Sequence, residues 1–373
     1  MSVYESLQEA RQRFNLTLQQ SGEEIQIAGS GDLPWSFSQL SHITGQSPEV
    51  CRTFDSGLTA VVYQLKDRQG QSFALKLART PCLVQNVDGQ TSFLNEVLCR
   101  RHLAQQRREH PGTLAAVTST MCASLRHGVI LSEWIDGAPV QDWTRRQLEQ
   151  VFAAGSELLL AGLFEWDYSP GNILDDGRRI RLFDFGYAYP FDPLRHFNSA
   201  GNGSDTPMFH LAERFETRAY FGHLLRVEKS RGPDAALAAY RLEKEVAAEA
   251  YVRLAAELRA RGASDAVLAW TEGWIAEWLG AMNTDLLPLY LKEGWRSHML
   301  DLDDDLRGKT CTPMTIERCQ WLLDALRGYY PALRAAQAFF GDEADLSQAQ
   351  LLARYEAHLA EARHYQIGWP QRL

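Results

Sequence analysis

The spacing of three polar residues constrains this chain more than any other feature of its sequence. Asp167 precedes Asn172 by five residues, and Asp184 follows in an Asp-Phe-Gly stretch that ends an apolar, strand-like segment. Two short apolar runs flank a turn-forming stretch between Asn172 and Asp184, which predicts a hairpin that returns Asp184 towards Asn172. Carboxylate and amide oxygens are ligands that Mg²⁺ takes in proteins. The sequence therefore predicts a site with two carboxylates and an amide beside this hairpin.

A lysine and a glutamate upstream supply further charged groups. Lys76 interrupts an apolar stretch at residues 73–77, and Glu96 lies twenty residues later in a segment with a helical pattern. A glutamate so placed can pair with the lysine and fix the direction of its ammonium group. Still further upstream, Gly57 lies in a turn ahead of another apolar run. These elements predict a β-rich segment with one helix ahead of the hairpin.

In this order, the elements resemble those of the protein kinase-like superfamily over residues about 52 to 190. The resemblance implies an α+β fold with two lobes: a small β-rich N-lobe and a large helical C-lobe with a C-terminal helical extension. It also implies a kinase, an ATP- and Mg²⁺-dependent phosphotransferase with a hydroxyl group as acceptor. The stretch Pro-Gly-Asn-Ile-Leu around Asn172 is similar to that of aminoglycoside and choline kinase relatives, whereas Asp-Phe-Gly is similar to that of protein kinases.

The resemblance implies a catalytic or metal-binding role for five residues. Asp167 is expected to orient or deprotonate the acceptor hydroxyl. Lys76 is expected to contact the α- and β-phosphates of ATP, and Glu96 to hold Lys76 in place. Asn172 and Asp184 are expected to bind Mg²⁺.

Four further positions are expected to contact the nucleotide. Gly57 and Thr59 belong to the loop that covers the phosphates in kinases, although this chain keeps only the middle one of the three glycines usual there. Backbone groups near Glu133 and Ile135 are expected to contact the adenine edge, because they follow the last strand of the N-lobe.

Three departures from the family pattern bear on regulation and substrate. Glu165 and Trp166 stand where protein kinases have His-Arg, which removes the socket for a phosphorylated activation loop. Ser169 replaces a lysine that ordinarily touches the γ-phosphate. No Ala-Pro-Glu follows Asp-Phe-Gly, so the usual platform for a peptide substrate is not recognisable.

Several functions remain open at this point. The leading interpretation is an atypical protein kinase that phosphorylates a protein hydroxyl. The alternatives are a kinase of small molecules such as metabolites or antibiotics, a pseudokinase that acts as a binding module, and a nucleotidyl transferase on the same fold. The sequence does not identify the acceptor, because the helical half that usually sets substrate choice carries no motif.

Net charge and cysteine content indicate which partners and which cellular compartment to expect. A net charge of −9 argues against nucleic acid or an anionic membrane as a partner. Six cysteines without a Cys-x-x-Cys pair are predicted to be free thiols. The N-terminus lacks a secretion-signal pattern, and no apolar run is long enough to span a membrane, so we expect a cytoplasmic protein.

The remaining patterns divide the chain into an N-terminal extension (residues 1–45), an N-lobe (46–137) and a C-lobe with its extension (138–373). Helices are predicted over residues 6–20, 141–164 and 233–262. Trp270, Trp274 and Trp278 recur every four residues and are expected to pack in the core. Residues 301–305 hold four acids and are predicted to form a solvated loop.

Overall fold

The computed structural model describes residues 6–27, 33–84, 86–202 and 208–366. Its α-helices are α1 Leu7–Ser21, α2 Phe37–Ser41, α3 Val87–Gln90, α4 Ser92–Glu109, α5 Arg145–Leu160, α6 Leu211–Phe215, α7 Phe221–Arg231, α8 Pro233–Ala260, α9 Asp265–Asn283, α10 Leu287–Gly308, α11 Pro313–Ala335 and α12 Gln348–His364. Its strands are β1 Gln26–Ile27, β2 Val50–Phe54, β3 Ala60–Lys66, β4 Ser72–Ala78, β5 Thr120–Ser124, β6 Val129–Glu133, β7 Ala138–Pro139, β8 Leu163–Glu165, β9 Ile173–Asp175, β10 Ile180–Leu182 and β11 Ala188–Pro190.

The chain divides into two compact units. Unit 1 comprises Met1–Val140, Gln150–Leu211 and Ala260–Val267, and unit 2 comprises Gln141–Glu149, Ala212–Arg259 and Leu268–Leu373. All the residues of the predicted site belong to unit 1. The lobe boundaries predicted after residues 45 and 137 stay a prediction.

Unit 1 contains an antiparallel sheet of six described strands in the order β1-β5-β6-β4-β3-β2. Strand β1 comes from the N-terminal extension and joins the edge of the sheet, where Gln26 pairs with Ser124. Trp35 of the same extension is buried edge-on against Phe73 of β4, with ring centroids 5.6 Å apart. The extension therefore contributes both a strand and part of the core, as aromatic burial favours.

The segment that carries the predicted site is built from short strands. The hairpin predicted between Asn172 and Asp184 is confirmed, because β9 and β10 pair antiparallel with Ile173 opposite Leu182. Strand β11 pairs with β8 and places Ala188 opposite Glu165. The helix predicted over residues 141–164 is confirmed in α5 but wrong at its end. The chain turns at Gly162, whose φ is 81°, and enters β8.

Unit 2 is helical. The helix predicted over residues 233–262 is confirmed as α8, which is followed by Gly262 with a φ of 81°. In α9, Trp278 is fully buried and lies edge-on to Tyr251 at 4.9 Å, as the prediction of core packing requires. Trp270 and Trp274 on the same stripe are half-buried.

The prediction of a solvated loop at residues 301–305 is wrong, because these residues lie inside α10. Asp301 pairs with Arg218 at 2.6 Å and with Arg318 at 2.9 Å. Asp305 accepts a hydrogen bond from the hydroxyl of Thr315. The acids are compatible with a helix because arginines and a hydroxyl from neighbouring elements satisfy them.

Unit 2 also encloses a group of charged side chains that we call the buried ionic cluster: Glu216, Glu243, Lys244, Glu293 and Arg296. Lys244 contacts Glu216, and its Nζ lies 2.5 Å from an Oε of Glu293. Arg296 pairs with the other oxygen of Glu216 at 2.7 Å. Neither carboxylate oxygen of Glu243 has a hydrogen-bond partner within the described residues. Burial raises the pKa of Glu243 well above its usual value.

The structure confirms the predicted α+β class, with a small antiparallel sheet and a large helical part. All six cysteines are free, as predicted. None of the helices described here combines the length and the apolar character that crossing a membrane requires.

Candidate active site

The site is organised around Lys76, which lies on an inner strand of the sheet between β3 and β6. The Nζ of Lys76 is 2.5 Å from an Oε of Glu96 and 2.7 Å from an Oδ of Asp184. The other Oε of Glu96 accepts a hydrogen bond from Nε of Arg100, one helical turn further along α4, at 2.8 Å. We call Arg100, Glu96, Lys76 and Asp184 the lysine ion chain. The structure thus brings together Lys76, Glu96 and Asp184, which the sequence singled out.

The members of the lysine ion chain differ in how well their charges are satisfied. Burial opposes the charge on Lys76, but Asp184 and Glu96 outweigh it and raise the pKa of Lys76. Burial also opposes the charge on Glu96, but Lys76 and Arg100 outweigh it and lower the pKa of Glu96 to about 2. At Asp184 the effect of burial exceeds the attraction of Lys76, and its pKa is raised. Asp184 is therefore the carboxylate that a further cation would stabilise most.

Asp184 also has an unusual backbone conformation. Its φ is 67°, in the left-handed region that residues other than glycine seldom adopt. Such strain persists only where surrounding contacts hold it, and it is concentrated at functional sites. The Asp184 side chain is 37% exposed, whereas those of Lys76 and Glu96 are 12% and 0% exposed. The lysine ion chain thus runs from the interior to a carboxylate that solvent or a ligand can reach.

Asp167 and Asn172 form the second part of the site. The Nδ2 of Asn172 donates to an Oδ of Asp167 at 3.1 Å, and the backbone and hydroxyl of Ser169 donate to the other Oδ. The carbonyl of Asn172 accepts from Phe183 N at 3.4 Å, which ties this loop to the Asp-Phe-Gly segment. Ser169, at the position of the lysine usual in protein kinases, therefore serves to fix the carboxylate of Asp167.

Glu165 is a component that the sequence pattern did not reveal. It is buried on β8, and one of its carboxylate oxygens accepts a hydrogen bond from the Asp167 backbone N–H at 2.7 Å. Its other oxygen has no hydrogen-bond partner within the described residues. Burial raises the pKa of Glu165 well above its usual value, and the nearby Asp167 and Asp184 charges add to this effect. Through its hydrogen bond with the Asp167 N–H, Glu165 supports the loop that carries Asp167.

The loop expected to cover the phosphates is held by an arginine. A Cβ at Gly57 would lie 2.6 Å from the carbonyl of Ala60, so only glycine fits this turn. Arg79 donates to the carbonyl of Gly57 at 2.7 Å and pairs with Asp55, which occupies a position where kinases have glycine. Thr59 also contacts Arg79, through its carbonyl, at 2.9 Å. Hydrogen bonds from Arg79 thus fix this turn, and the predicted contact of Gly57 with a nucleotide stays a prediction.

Thr59 also lines a cavity of about 340 Å³ in unit 1. The start of α4, the end of α1 and the turn around Arg79 form its walls. Neither Lys76 nor Asp184 lines it, so this cavity is separate from the lysine ion chain. The predicted contact of Thr59 with a nucleotide stays a prediction.

Glu133 and Ile135 follow the sheet as expected but differ in their contacts. An Oε of Glu133 is 2.5 Å from Arg181, and its backbone N–H donates to the Ser119 carbonyl. The backbone of Ile135 makes no hydrogen bond within the described residues. The aromatic rings of Phe54 and Trp134 lie 6.0 Å apart beside this segment. The predicted adenine contacts at Glu133 and Ile135 stay a prediction.

The oxygen atoms of Asn172 and Asp184 fit a hard cation. Asn172 donates through its nitrogen, and one Oδ of Asp184 binds Lys76, so each side chain keeps an oxygen with no hydrogen bond from the described residues. The described residues contain no group of three or more His, Cys, Asp or Glu side chains suited to a metal. One carboxylate and one amide would therefore hold Mg²⁺ only together with phosphate oxygens, which is how Mg²⁺ is usually bound beside a nucleotide.

Comparison with known proteins gives similarity to solved structures only. No protein-family model and no curated protein matches the chain. The BubR1 kinase domain is similar over 56% of this chain and 73% of its own, with 15% identity and a TM-score of 0.34. The Rio2 kinase–ADP/Mg²⁺–phosphoaspartate complex from Chaetomium thermophilum is similar over 62% of this chain and 71% of its own, with 16% identity and a TM-score of 0.32.

At these values neither structure carries an argument about activity, and the likeness to aminoglycoside and choline kinases stays a prediction. The chain's own elements are more informative. A lysine on an inner strand pairs with a glutamate on the helix that follows, and a loop and hairpin return an Asp-Phe-Gly to that lysine. This is the arrangement that the resemblance to the protein kinase-like superfamily implied for these residues.

Proposed function

We propose that this chain is an ATP- and Mg²⁺-dependent phosphotransferase, an atypical protein kinase that transfers the γ-phosphate of ATP to a hydroxyl group. One observation carries the proposal: the Nζ of Lys76 lies within 2.7 Å of both Glu96 and Asp184. Phosphoryl transfer needs positioned charges more than covalent chemistry from the protein. An ammonium group fixed between two carboxylates, one of them open to a ligand, supplies that need.

Each residue of the candidate site would have its own role in the proposed reaction. Lys76 would hold the α- and β-phosphates. Asp167, fixed by Ser169 and Asn172, would orient the acceptor hydroxyl and receive its proton as the oxygen bonds to the γ-phosphorus. The bond from that phosphorus to the β–γ bridging oxygen breaks, and ADP leaves. Asn172 and Asp184 would hold Mg²⁺, whose positive charge would offset the charge that develops on the phosphate oxygens.

The same geometry disfavours a pure binding module. A degenerate site is expected to lose the pairing of Lys76 with the helix glutamate, and here that distance is 2.5 Å. A protein acceptor is proposed from the resemblance of Asp-Phe-Gly to protein kinases, and a small-molecule acceptor is the outcome that the experiment below separates from it. We also propose that this phosphotransferase is cytoplasmic.

The test uses ATP labelled either at the γ- or at the α-phosphate, with Mg²⁺ and a fractionated cell lysate. We expect γ-label in protein hydroxyl groups, lost in Asp184→Ala and retained in the control Asp324→Ala, which removes an exposed aspartate on α11. Transfer of γ-label to small molecules alone would replace the protein acceptor by a metabolite. Transfer of α-label would establish a nucleotidyl transferase, and no transfer of either label would contradict the proposal.

A further inference from the structure

Helix α4 makes a second set of contacts, with the backbone that follows Asp184. Asn95 directly precedes Glu96 and is 2% exposed. Its Nδ2 donates to the carbonyl of Gly186 at 3.0 Å and to that of Ala188 at 2.7 Å, and lies 3.5 Å from the carbonyl of Phe185. One buried amide therefore spans the backbone from the Asp-Phe-Gly stretch into β11.

Cys99, one helical turn after Asn95, supports the same contact. Its thiol donates to the carbonyl of Ala188 at 3.0 Å. Asn95 and Cys99 thus form one stripe of α4, and Glu96 and Arg100 form the adjacent stripe that faces Lys76. The guanidinium of Arg100 lies 5.5 Å from the ring of Phe185. The orientation of α4 that satisfies the carbonyls after Asp184 also brings Glu96 to Lys76.

The backbone of residues 184–188 requires hydrogen-bond donors such as Asn95 and Cys99. Asp184 is held in a left-handed conformation, and the carbonyls of Gly186 and Ala188 lie in a buried part of unit 1. A buried carbonyl that loses its donor is unfavourable. Protein kinases commonly hold the corresponding segment through a phosphorylated loop and an arginine before the catalytic aspartate. In this chain Trp166 occupies that position, and its ring N–H donates to Ser199 at 2.8 Å.

We propose that Asn95 is a positioning residue that locks residues 184–188 against α4, so that Asp184 meets Lys76 without phosphorylation of any loop. The proposal deepens the phosphotransferase function and rests on it for its catalytic consequence. The position of residues 184–188, however, is measurable without any turnover.

The first experiment follows amide hydrogen exchange at Ala188 and Trp166 in wild type and Asn95→Leu. The Ala188 amide donates to the Phe185 carbonyl, and the Trp166 amide donates to the Tyr187 carbonyl, so both report on the locked segment. We expect exchange at these amides to rise about 10-fold or more, the equivalent of one lost hydrogen bond. The control is Asn15→Leu on α1, because Asn15 is equally buried but its amide nitrogen has no partner within the described residues.

The second experiment measures phosphotransfer in the same variants after phosphatase treatment. We expect Asn95→Leu to lower kcat by roughly 100-fold and to raise KM for ATP, because a misplaced Asp184 weakens both the Mg²⁺-dependent binding of ATP and the stabilisation of the transition state. Phosphatase-treated wild type is expected to keep its activity. If Asn95→Leu does not fold, Asn95→Ser takes its place, since its short hydroxyl keeps a polar group but cannot reach the same carbonyls.

The outcomes separate the two proposals. Unchanged exchange at Ala188 and Trp166, or an active wild type whose kcat survives Asn95→Leu, overturns the role of Asn95 and leaves the phosphotransferase intact. Loss of activity on phosphatase treatment overturns the phosphorylation-independent lock. Faster exchange in a protein whose wild type transfers no phosphate supports the position of the segment and contradicts the proposed function.

Discussion

Two lysines in this molecule each pair with two carboxylates, one of which also pairs with an arginine, yet their surroundings differ. Lys76 is paired with Glu96 and Asp184 in unit 1, and the outer carboxylate is 37% exposed. Lys244 is paired with Glu216 and Glu293 in unit 2, and the side chains of this trio are between 0% and 2% exposed. The same chemical groups thus form one arrangement that is open at one end and another that is sealed.

This difference in exposure indicates a different role for the lysine ion chain and for the buried ionic cluster. A sealed ionic cluster can only hold the fold, because no ligand reaches it and each charge needs its internal partner. An open chain leaves one carboxylate under-satisfied: one Oδ of Asp184 binds Lys76, the other accepts no hydrogen bond from the described residues, and a further cation would stabilise its charge. We therefore expect substitutions in the buried ionic cluster to affect stability, and substitutions in the lysine ion chain to affect catalysis.

The largest expected effect is on stability, from Lys244→Met. This substitution leaves the carboxylates of Glu216 and Glu293 buried with fewer partners, which costs about 3–5 kcal/mol of unfolding free energy. Urea unfolding monitored by circular dichroism measures it. A loss below about 1 kcal/mol would mean that the cluster is solvated in solution.

The matched substitution Lys76→Met is expected to act mainly on catalysis. Under the proposed function Lys76 would hold the phosphates, so removing its charge is expected to lower kcat by about 100- to 1000-fold. The free energy of unfolding is expected to fall less than in Lys244→Met, because Arg100 still pairs with Glu96 and Asp184 can turn to solvent. Steady-state phosphotransfer and urea unfolding on the two variants together test the comparison. Equal stability losses would contradict it.

The lysine ion chain should also make the free energy of unfolding depend on pH. The pKa of Glu96 is about 2 in the folded protein, against 4.5 as its ordinary value. The stabilisation from its charge is therefore present above about pH 4.5 and is lost as the pH falls towards 2, and it amounts to about 3 kcal/mol. Unfolding free energies measured between pH 6 and 3 should fall more steeply in wild type than in Glu96→Gln. Parallel curves would show that Glu96 is not held as an anion.

The smallest effect is expected at an ion pair that is more exposed than either cluster. Asp55 pairs with Arg79 beside the turn around Gly57, and its side chain is 68% exposed. Asp55→Ala is expected to change the unfolding free energy by less than about 1 kcal/mol, because water screens such pairs. Thermal melts measure this. A larger loss would indicate that the turn around Gly57 depends on this charge.

The lysine ion chain could be predicted from the sequence, whereas the buried ionic cluster could not. Lys76, Glu96 and Asp184 could be predicted because each lies in a local pattern whose spacing a known family shares. Lys244 and Glu216 could not, since a charged residue on an amphipathic helix looks the same whether it faces water or a buried partner 28 positions away. Asp301 and Asp305 were misassigned to a loop for the same reason: their arginine and threonine partners come from other helices.

Within the site, the sequence could not predict the contacts between segments that are far apart along the chain. An asparagine in a helix carries no local signal, so only the fold shows that Asn95 reaches the carbonyl of Ala188, 93 positions away. Glu165 was noted only as a departure from a motif, and its contact with the Asp167 amide depends on the turn after β8. The hairpin from Asn172 to Asp184 was predictable because its turn and apolar runs are contiguous.

The central claim is that the open end of the lysine ion chain receives Mg²⁺ with ATP. Its most direct test is calorimetric titration of ATP into wild type and Asp184→Ala, each with and without Mg²⁺, since binding needs no knowledge of the acceptor. We predict that Mg²⁺ tightens ATP binding to wild type and does not tighten binding to Asp184→Ala. Equal dependence on Mg²⁺ in both proteins, or no ATP binding to wild type, would contradict the account.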